Sequence, residues 1–358
     1  MELNGKTLYS IVWQEDSATV RIIDQTGLPH RLEYCELESL EAACEAIEQM
    51  RVRGAPLIGI TAAFGLYFAL RRGAVSMDLA CQQLLSTRPT AVNLQWALQR
   101  LKTALLDVSA DRQADTALRC ARQLLAEDAD ACERIGEHGL SLLQALHDRH
   151  QRTLNVLTHC NAGWLATADW GTALAPVYKA HAAGIPVHVW VDETRPRLQG
   201  ASLTAWELEQ AGVPCTVITD NAGGHLMQQG EVDICLVGSD RTAANGDVCN
   251  KIGTYLKALA ARDNAVPFYV ALPVSSIDFS LREGVGTIPI EERNADEVRW
   301  VQGMNTEGVL TAVRVTPPGT GAGNPGFDVT PARLISGLIT EQGTVDASAR
   351  GVAELAAP

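Results

Sequence analysis

The part of the chain after residue 153 alternates short strand-like runs with helical segments, and this alternation constrains the fold more than any other feature. Runs rich in Val, Ile and Leu occur at 154–160, 185–191, 214–219, 232–238 and 267–272. Helical patterns lie between or after them, at 165–182, 203–211, 222–228, 251–261 and 328–339. Strands that alternate with helices predict βαβ units and a mostly parallel sheet. The sequence therefore predicts an α/β fold whose C-terminal part is doubly wound and Rossmann-like.

The first part of the chain predicts a smaller lobe of different construction. The runs "LYSIVWQ", "ATVRIID" and "RLEYCEL" predict an antiparallel β-meander, and the apolar spacing from 40 to 150 is helical. We predict four parts: an N-terminal β-meander and helical domain at 1–125, a connecting helix at 126–150, a Rossmann-like domain at 151–345 and a flexible tail at 346–358.

Charge and hydropathy exclude several kinds of partner. The 358 residues carry a net charge of −13 and contain no run of Lys and Arg, so neither nucleic acid nor a membrane surface is expected as a partner. A small phosphorylated ligand is compatible, because a few local cations and backbone N–H groups suffice to bind it. The longest uncharged run, 54–70, is short for a membrane span and contains Pro56, so it predicts a buried helix. The start of the chain has no signal-peptide pattern, and we expect a cytoplasmic protein.

The cysteines and histidines give no sign of a metal or a disulfide framework. None of the nine cysteines forms a CxxC motif, which indicates free thiols in a reducing compartment. The eight histidines show no metal-ligand spacing. The segment "GTGAGNPG" at 319–326 lacks the strand–turn–helix context of a dinucleotide-binding motif. We therefore expect neither a metal nor a nicotinamide cofactor.

Polar residues mark three of the predicted strand ends. Parallel strands joined by right-handed crossovers end at one edge of the sheet, and ligands bind outside that edge. The three are "THCNAG" with Cys160, "VDETRPRLQGAS", and "VGSDRTAANGDVCNKIG" with Asp240. We therefore expect Cys160 and Asp240 on the same side of the molecule. The alternatives are an inert buried thiol at Cys160 and a turn-capping carboxylate at Asp240.

Three cations lie next to predicted helix starts. Arg53 precedes "GAPLIG", Arg88 precedes "PTAVNLQWAL", and Lys251 lies in "NKIG". Free backbone N–H groups at a helix start, with a cation beside them, form an anion site. Taken singly, each cation is better explained by a surface salt bridge. Together the three exceed what core packing requires, and they predict an anion-binding site.

Several segments together resemble one enzyme family, the methylthioribose-1-phosphate isomerases of methionine salvage. The wider family also contains ribose-1,5-bisphosphate isomerase and the regulatory subunits of translation initiation factor 2B. "RPTAVNL", with Cys160 and Asp240 both present, resembles the isomerase branch. The similar segments lie between 50 and 340: "RGAPLIGITAAFGL", "RPTAVNLQWA", "THCNAGWLAT", "VWVDETRPRLQGASLTAWEL", "TDNAGGHLM", "VGSDRTAANGDVCNKIGTY", "PVSSID" and "NPGFDVTPARLI".

This resemblance implies a role for each matched residue. Cys160 and Asp240 are implied as the catalytic pair, and a second set is implied to hold a sugar phosphate: Arg53, Gly54, Ala55, Arg88, Gln199, Asn250 and Lys251. A homodimer without metal or organic cofactor is implied as well. The implied reaction converts 5-methylthioribose 1-phosphate into 5-methylthioribulose 1-phosphate. Asp240 would carry the proton for ring opening, and Cys160 would assist the transfer of hydrogen from C2 to C1.

Two questions stay open at this point. Cys160 acts either as a thiolate that moves a proton or as a thiol that orients the substrate for hydride transfer. The apolar residues around it favour the hydride route. The substrate alternatives are 5-deoxyribose 1-phosphate and ribose 1,5-bisphosphate, and a regulatory subunit that senses sugar phosphates or nucleotides is the non-enzyme alternative. A methylthio group needs apolar walls, whereas a second phosphate needs extra cations, and the net acidity disfavours the second phosphate.

Overall fold

A small antiparallel β-structure begins the chain in the computed structural model, which describes residues 2–3, 6–73, 75–88 and 91–356. Strands β3, β4 and β5 pair antiparallel, as the predicted meander requires. Val20 and Ile22 of the central strand are fully buried against the helices that follow. The strands are β1 Glu2–Leu3, β2 Lys6–Thr7, β3 Ile11–Gln14, β4 Thr19–Asp24 and β5 Glu33–Leu37.

Helices form the rest of this lobe. They are α1 Leu40–Glu48, α2 Ala55–Arg72, α3 Met77–Thr87, α4 Val92–Leu105 and α5 Ala110–His150. Helix α2 contains most of the long uncharged run and is buried along nearly its whole length, so the predicted buried helix is confirmed. No helix among the described residues is both long and apolar enough to cross a membrane.

Helix α5 has 41 residues and continues through the predicted domain boundary at 125. Its Ala117 and Ala121 belong to the apolar core of the first lobe. Its Ile135 and Leu143 belong to the core beneath the large sheet. The helix thus contacts both cores, and the division into domains stays a prediction.

The remainder of the chain contains the predicted alternation of strands and helices. The strands are β6 Leu154–Thr158, β7 Val187–Asp192, β8 Cys215–Ile218, β9 Ile234–Val237, β10 Arg241–Ala243, β11 Val248–Lys251, β12 Phe268–Ala271, β13 Ile277–Asp278, β14 Trp300–Met304, β15 Leu310–Arg314, β16 Phe327–Thr330, β17 Gly337–Thr340 and β18 Gly343–Val345. The helices are α6 Ala175–Ala182, α7 Ala205–Gln210, α8 Ala222–Gln228, α9 Thr254–Asp263, α10 Asp296–Arg299 and α11 Ala349–Glu354.

A seven-stranded sheet organises this lobe, in the order β18-β17-β12-β9-β6-β7-β8. Its neighbouring strands run parallel except for the antiparallel edge strand β18. The chain proceeds from β6 outwards to β7 and β8, and then returns to the other side of β6 with β9. The direction of winding therefore reverses between β6 and β9, where a doubly wound sheet opens a crevice for ligands. The predicted α/β fold is confirmed.

A second sheet of four strands, in the order β13-β10-β11-β16, was not predicted from the sequence. It contains β16, so the predicted helix at 328–339 is wrong. Strand β16 pairs with β11, a short 3₁₀ turn follows Pro331, and β17 then pairs with β12 in the large sheet. Short apolar runs such as this one fit a helix and a buried strand equally well. Here the run forms strands, because it pairs with β11 and β12, which lie far away in the sequence.

The predicted flexible tail, 346–358, also differs from the structure. Ser348 caps the start of helix α11, and its hydroxyl accepts a hydrogen bond from the Gly351 N–H. Val352 and Leu355 are buried and pack in the same core as Leu338. The tail is therefore packed up to Leu355, because two of its apolar residues join the core on one face of the large sheet.

Candidate active site

Cys160 follows strand β6 in an unusual backbone conformation. Its φ is +65°, in the left-handed region that residues other than glycine rarely adopt. The Cys160 N–H donates to Thr194 Oγ1 at 2.8 Å, and its carbonyl accepts from Thr204 Oγ1 at 2.7 Å. Such a conformation costs about 1–3 kcal/mol and persists only where the surroundings fix it, typically at functional sites.

The Cys160 sulfur is buried but faces polar groups. Gln199 Oε1 lies 3.6 Å from Sγ, and the Arg53 guanidinium lies 3.8 Å from it. Lys251 also interacts electrostatically with this thiol. The neighbouring sequence predicts apolar surroundings for the sulfur, but the structure places polar and charged groups there as well.

Asp240 lies across the crevice, between β9 and β10. It lines one cavity together with Cys160, so the structure brings these two residues together as predicted. Burial raises the pKa of the Asp240 carboxyl, and three nearby cations oppose that rise: Lys251, Arg53 and Arg88. A carboxyl in such a place can hold a proton at higher pH than an exposed one.

These three cations are buried around Asp240. Arg53 donates to the Asn161 side chain and, at 2.9 Å, to the Asn161 carbonyl. Arg88 pairs with Glu291 at 3.3 Å, and the Lys251 ammonium lies 4.6 Å from the centre of the Phe327 ring. Burial lowers the pKa of the Lys251 ammonium, while Cys160 and Asp240 oppose that fall. The three side chains are at most 8% exposed, so the surface salt-bridge alternative is wrong.

Gly54 and Ala55 bring the start of helix α2 to the same cavity. Gly54 has φ +94°, and a Cβ there would collide with the Ala166 carbonyl oxygen. Only glycine allows this approach of the helix to the Cys160 loop. The first N–H groups of a helix have no partner within the helix and are available to an anion.

The start of helix α9 differs from that of α2, because two of its N–H groups already have an acceptor. The prediction that free N–H groups at "NKIG" bind an anion is therefore wrong. The Asp328 carboxylate already accepts hydrogen bonds from the N–H groups of Gly253 at 2.7 Å and Tyr255 at 3.1 Å. Asn250 lines the cavity, and its side-chain amide donates to Thr254 Oγ1 at 3.1 Å. Lys251 supplies its charge from strand β11. Of the residues between Arg88 and helix α4, 89–90 lie outside the described part of the chain.

Asn161 and Glu207 complete the surroundings of Arg53 and were not singled out in the sequence. Glu207 is fully buried and accepts four hydrogen bonds, from Asn161 Nδ2, Trp164 N, Leu165 N and the Tyr178 hydroxyl. Burial raises the pKa of this carboxyl to about 7, and the hydrogen bonds oppose the rise. Glu207 thus fixes Asn161, which in turn fixes Arg53. The only signal in the sequence was a carboxylate within the apolar run "LTAWEL".

Two spaces that share Arg53 in their walls are present at the site. The space between Cys160 and Asp240 is about 30 Å³. Arg53 and Gln199 also line a larger cavity of about 260 Å³. Its walls include the apolar residues Leu28, Met50, Leu203 and Trp300, and the acidic residues Asp296 and Glu297. All nine residues predicted to act on a ligand therefore lie in or beside this crevice.

One group of residues in the described chain has a spacing that suits a metal ion: His159, Asp192 and Asp220. The Lys257 ammonium already lies 3.1 Å from Asp192 Oδ2 and donates to the Asp220 carbonyl. A cation of this chain thus already pairs with one of the two carboxylates in this group.

Comparison with known proteins gives the class. A model of the Initiation factor 2 subunit family matches residues 51–347, and the chain belongs to this family. It is similar along nearly its whole length to the methylthioribose-1-phosphate isomerase of Methylocella silvestris, at 56% identity over 358 residues (99% of this chain, 98% of the relative). The enzyme of the same name from Paramagnetospirillum magneticum is 56% identical over 355 residues, which are 98% of each chain.

Two solved structures resemble the chain along nearly its whole length. The crystal structure of 5-methylthioribose 1-phosphate isomerase from Pyrococcus horikoshii matches with a TM-score of 0.83 and 38% identity, over 98% of this chain and 96% of that one. The structure of translation initiation factor eIF-2B subunit delta from A. fulgidus matches with a TM-score of 0.76 and 36% identity, over 97% and 100%. The chain is an enzyme of the isomerase branch, an aldose–ketose isomerase.

Proposed function

We propose that this isomerase converts 5-methylthioribose 1-phosphate into 5-methylthioribulose 1-phosphate, with Asp240 and Cys160 as the reacting residues. One observation carries the proposal beyond the names of the relatives. Arg53 and Arg88 are each 8% exposed, both act on Asp240, and the Nε–H of each has no acceptor among the described residues. An unsatisfied buried donor is costly, and a phosphate oxygen supplies the missing acceptor.

The substrate carries phosphate on its anomeric oxygen, so its ring cannot open as a free sugar does. Asp240 gives its proton to the ring oxygen as the bond from that oxygen to C1 breaks. Hydrogen then moves from C2 to C1, and the proton of the C2 hydroxyl returns to Asp240. The product has a ketone at C2 and keeps its phosphate on C1. The raised pKa of Asp240 supports this role, since the residue must hold a proton before it gives it.

Cys160 assists the transfer between the two carbons. In one route its thiolate takes the C2 proton and returns it at C1 through an enol phosphate. In the other its thiol orients the substrate while hydride moves directly. Arg53 and Lys251 near the sulfur stabilise a negative charge, which supports the first route more than the sequence did. The reaction in heavy water separates the two, because only the first allows deuterium to enter C1.

The larger cavity supports the methylthio substrate over a bisphosphate. Leu28, Met50 and Trp300 suit a thioether, whereas Glu297 repels a second phosphate. Arg197, a cation in this cavity, is paired with Glu297 at 3.0 Å.

The test is to incubate the purified chain with 5-methylthioribose 1-phosphate, 5-deoxyribose 1-phosphate and ribose 1,5-bisphosphate, and to follow the ketose products by NMR. We expect the highest kcat/KM for the methylthio compound. Preference for the bisphosphate would contradict the proposed substrate. Binding of all three without turnover would favour the regulatory alternative.

The homodimer and the cytoplasmic location stay predictions. The hairpin β14–β15 exposes Trp300, Met304 and Val313 by 42 to 53%. Such a surface supports association of two chains.

A further inference from the structure

His159, at the end of β6, is 1% exposed and has a hydrogen-bond acceptor at each ring nitrogen. Nδ1 lies 2.8 Å from Asp192 Oδ2, and Nε2 lies 2.8 Å from the Ile252 carbonyl oxygen. A carboxylate and a carbonyl can only accept, and a neutral imidazole has a single N–H to donate. Assigned from this network, both ring nitrogens carry protons, and His159 is an imidazolium.

We infer that His159 is a positioning residue that holds the thiol and the phosphate-binding lysine in register. The inference rests on the proposed function. His159 directly precedes Cys160. Ile252, which accepts from Nε2, directly follows Lys251. One ring thus joins the strand end that carries the thiol to the strand end that carries the buried ammonium.

The Nδ1 side of the ring leads to the same thiol by a second path. Asp192 ends strand β7, and its carbonyl accepts a hydrogen bond from Thr194 Oγ1 at 3.0 Å. That hydroxyl oxygen is the acceptor of the Cys160 N–H. The anchor at Asp192 therefore fixes the backbone of Cys160 from two directions.

The turn at Gly253 is shaped to admit the ring. Gly253 has φ +103°, and a Cβ there would lie 3.0 Å from His159 Cε1. A side chain at this position would push the ring away from the Ile252 carbonyl.

The charges of the groups around the ring are mostly negative. Asp192 of β7 contacts it directly, Asp220 after β8 lies 4.0 Å from Nδ1, and Asp328 of β16 interacts with it electrostatically. Lys257 of α9 is the other cation of this group, 3.1 Å from Asp192. A neutral ring would leave one ammonium to balance three carboxylates.

Two substitutions divide the function of the ring. An Asn amide nitrogen takes the place of Nδ1, so His159→Asn keeps the donor to Asp192 and loses the donor to Ile252. A Gln amide nitrogen takes the place of Nε2, so His159→Gln does the opposite. We expect His159→Asn to raise KM through Lys251 and His159→Gln to lower kcat through Cys160. Each effect should reach about 10²-fold, the loss that follows from misplacing a reacting group by about 1 Å.

The experiment measures kcat and KM of both variants, with His188→Asn as the control. His188 lies on the neighbouring strand β7 and is partly exposed. The full chain labelled with ¹⁵N-histidine is examined by NMR at pH 7.5, and the His159 signals are assigned by their loss in the variants. Two protonated ring nitrogens are expected.

A neutral His159 ring would overturn the inference, even if a variant fails to fold. Wild-type kcat and KM in both variants would overturn it too, as would equal losses of both parameters in both variants. An inactive wild-type chain would contradict the proposed function instead, and the NMR result would still decide the charge of the ring.

Discussion

The two sides of the crevice are built in different ways. On one, which we call the thiol side, Cys160, Asn161 and Glu207 are fixed by hydrogen bonds between buried groups. On the other, the cation side, Arg88, Lys251 and Asp240 are buried charges that shift one another's pKa. The thiol side sets positions, and the cation side supplies charge. Changes on the thiol side should therefore act on kcat, and changes of the cations Arg88 and Lys251 on substrate affinity, whereas Asp240 faces the reacting atoms and should act on kcat.

The largest effect is expected where the two sides meet the substrate. Cys160→Ser and Asp240→Asn should each lower kcat by about 10²–10⁴-fold, because each removes a group that the proposed mechanism uses in the transfer of hydrogen. Steady-state kinetics measures the loss, and circular dichroism confirms the fold. Cys215→Ser, at a partly exposed thiol on β8, is the matched control. If Cys160→Ser kept the wild-type kcat, the proposed role of the Cys160 thiol in the reaction would be wrong.

A smaller effect should separate binding from catalysis. Arg88→Ala should raise KM by about 10- to 150-fold with little change in kcat, because a charged hydrogen bond of roughly 1.5–3 kcal/mol is lost in ground and transition states alike. The control is Arg100→Ala, which breaks an ion pair with Glu127 between outer helices.

Glu207→Gln tests the same comparison from the thiol side. The amide nitrogen of the new side chain cannot accept the hydrogen bonds that the Glu207 carboxylate oxygen accepts, so Asn161 would lose part of its support. We therefore expect kcat to fall while KM stays unchanged. If Arg88→Ala lowered kcat and Glu207→Gln raised KM, the division into two sides would be wrong.

The smallest effect is a shift in pH dependence. In the proposed mechanism Asp240 must be protonated to open the ring, so kcat/KM should fall as pH rises through its pKa, which burial raises. Lys251 opposes that rise. Lys251→Met should therefore move the alkaline limb to higher pH, by about one unit or more. The comparison is Lys179→Met, at a lysine near Glu133 and away from the crevice. A limb that moves to lower pH, or not at all, would show that Lys251 does not act on Asp240.

The sequence sufficed for the fold of the second lobe and for the meeting of Cys160 with Asp240. Strands buried on both faces are nearly continuous apolar runs, and those of β6 and β9 stand out between polar turns. Once the strands are parallel, their ends share one edge. The Cys160–Asp240 pair then follows from topology without any knowledge of side-chain contacts.

Contacts between distant residues could not be predicted in this way. The cap on helix α9 comes from Asp328, 75 residues beyond Gly253, and the support of Asn161 comes from Glu207, 46 residues away. The charge of His159 depends on an acceptor 93 residues further along. Hydropathy and spacing report which face of an element is buried. They do not report which polar group it meets there.

The left-handed backbone at Cys160 has a consequence for what this position could hold instead. Glycine adopts φ +65° without strain, so Cys160→Gly would relieve the conformational cost of about 1–3 kcal/mol. The thiol is therefore held at this position against the conformational preference of the backbone, which favours glycine there.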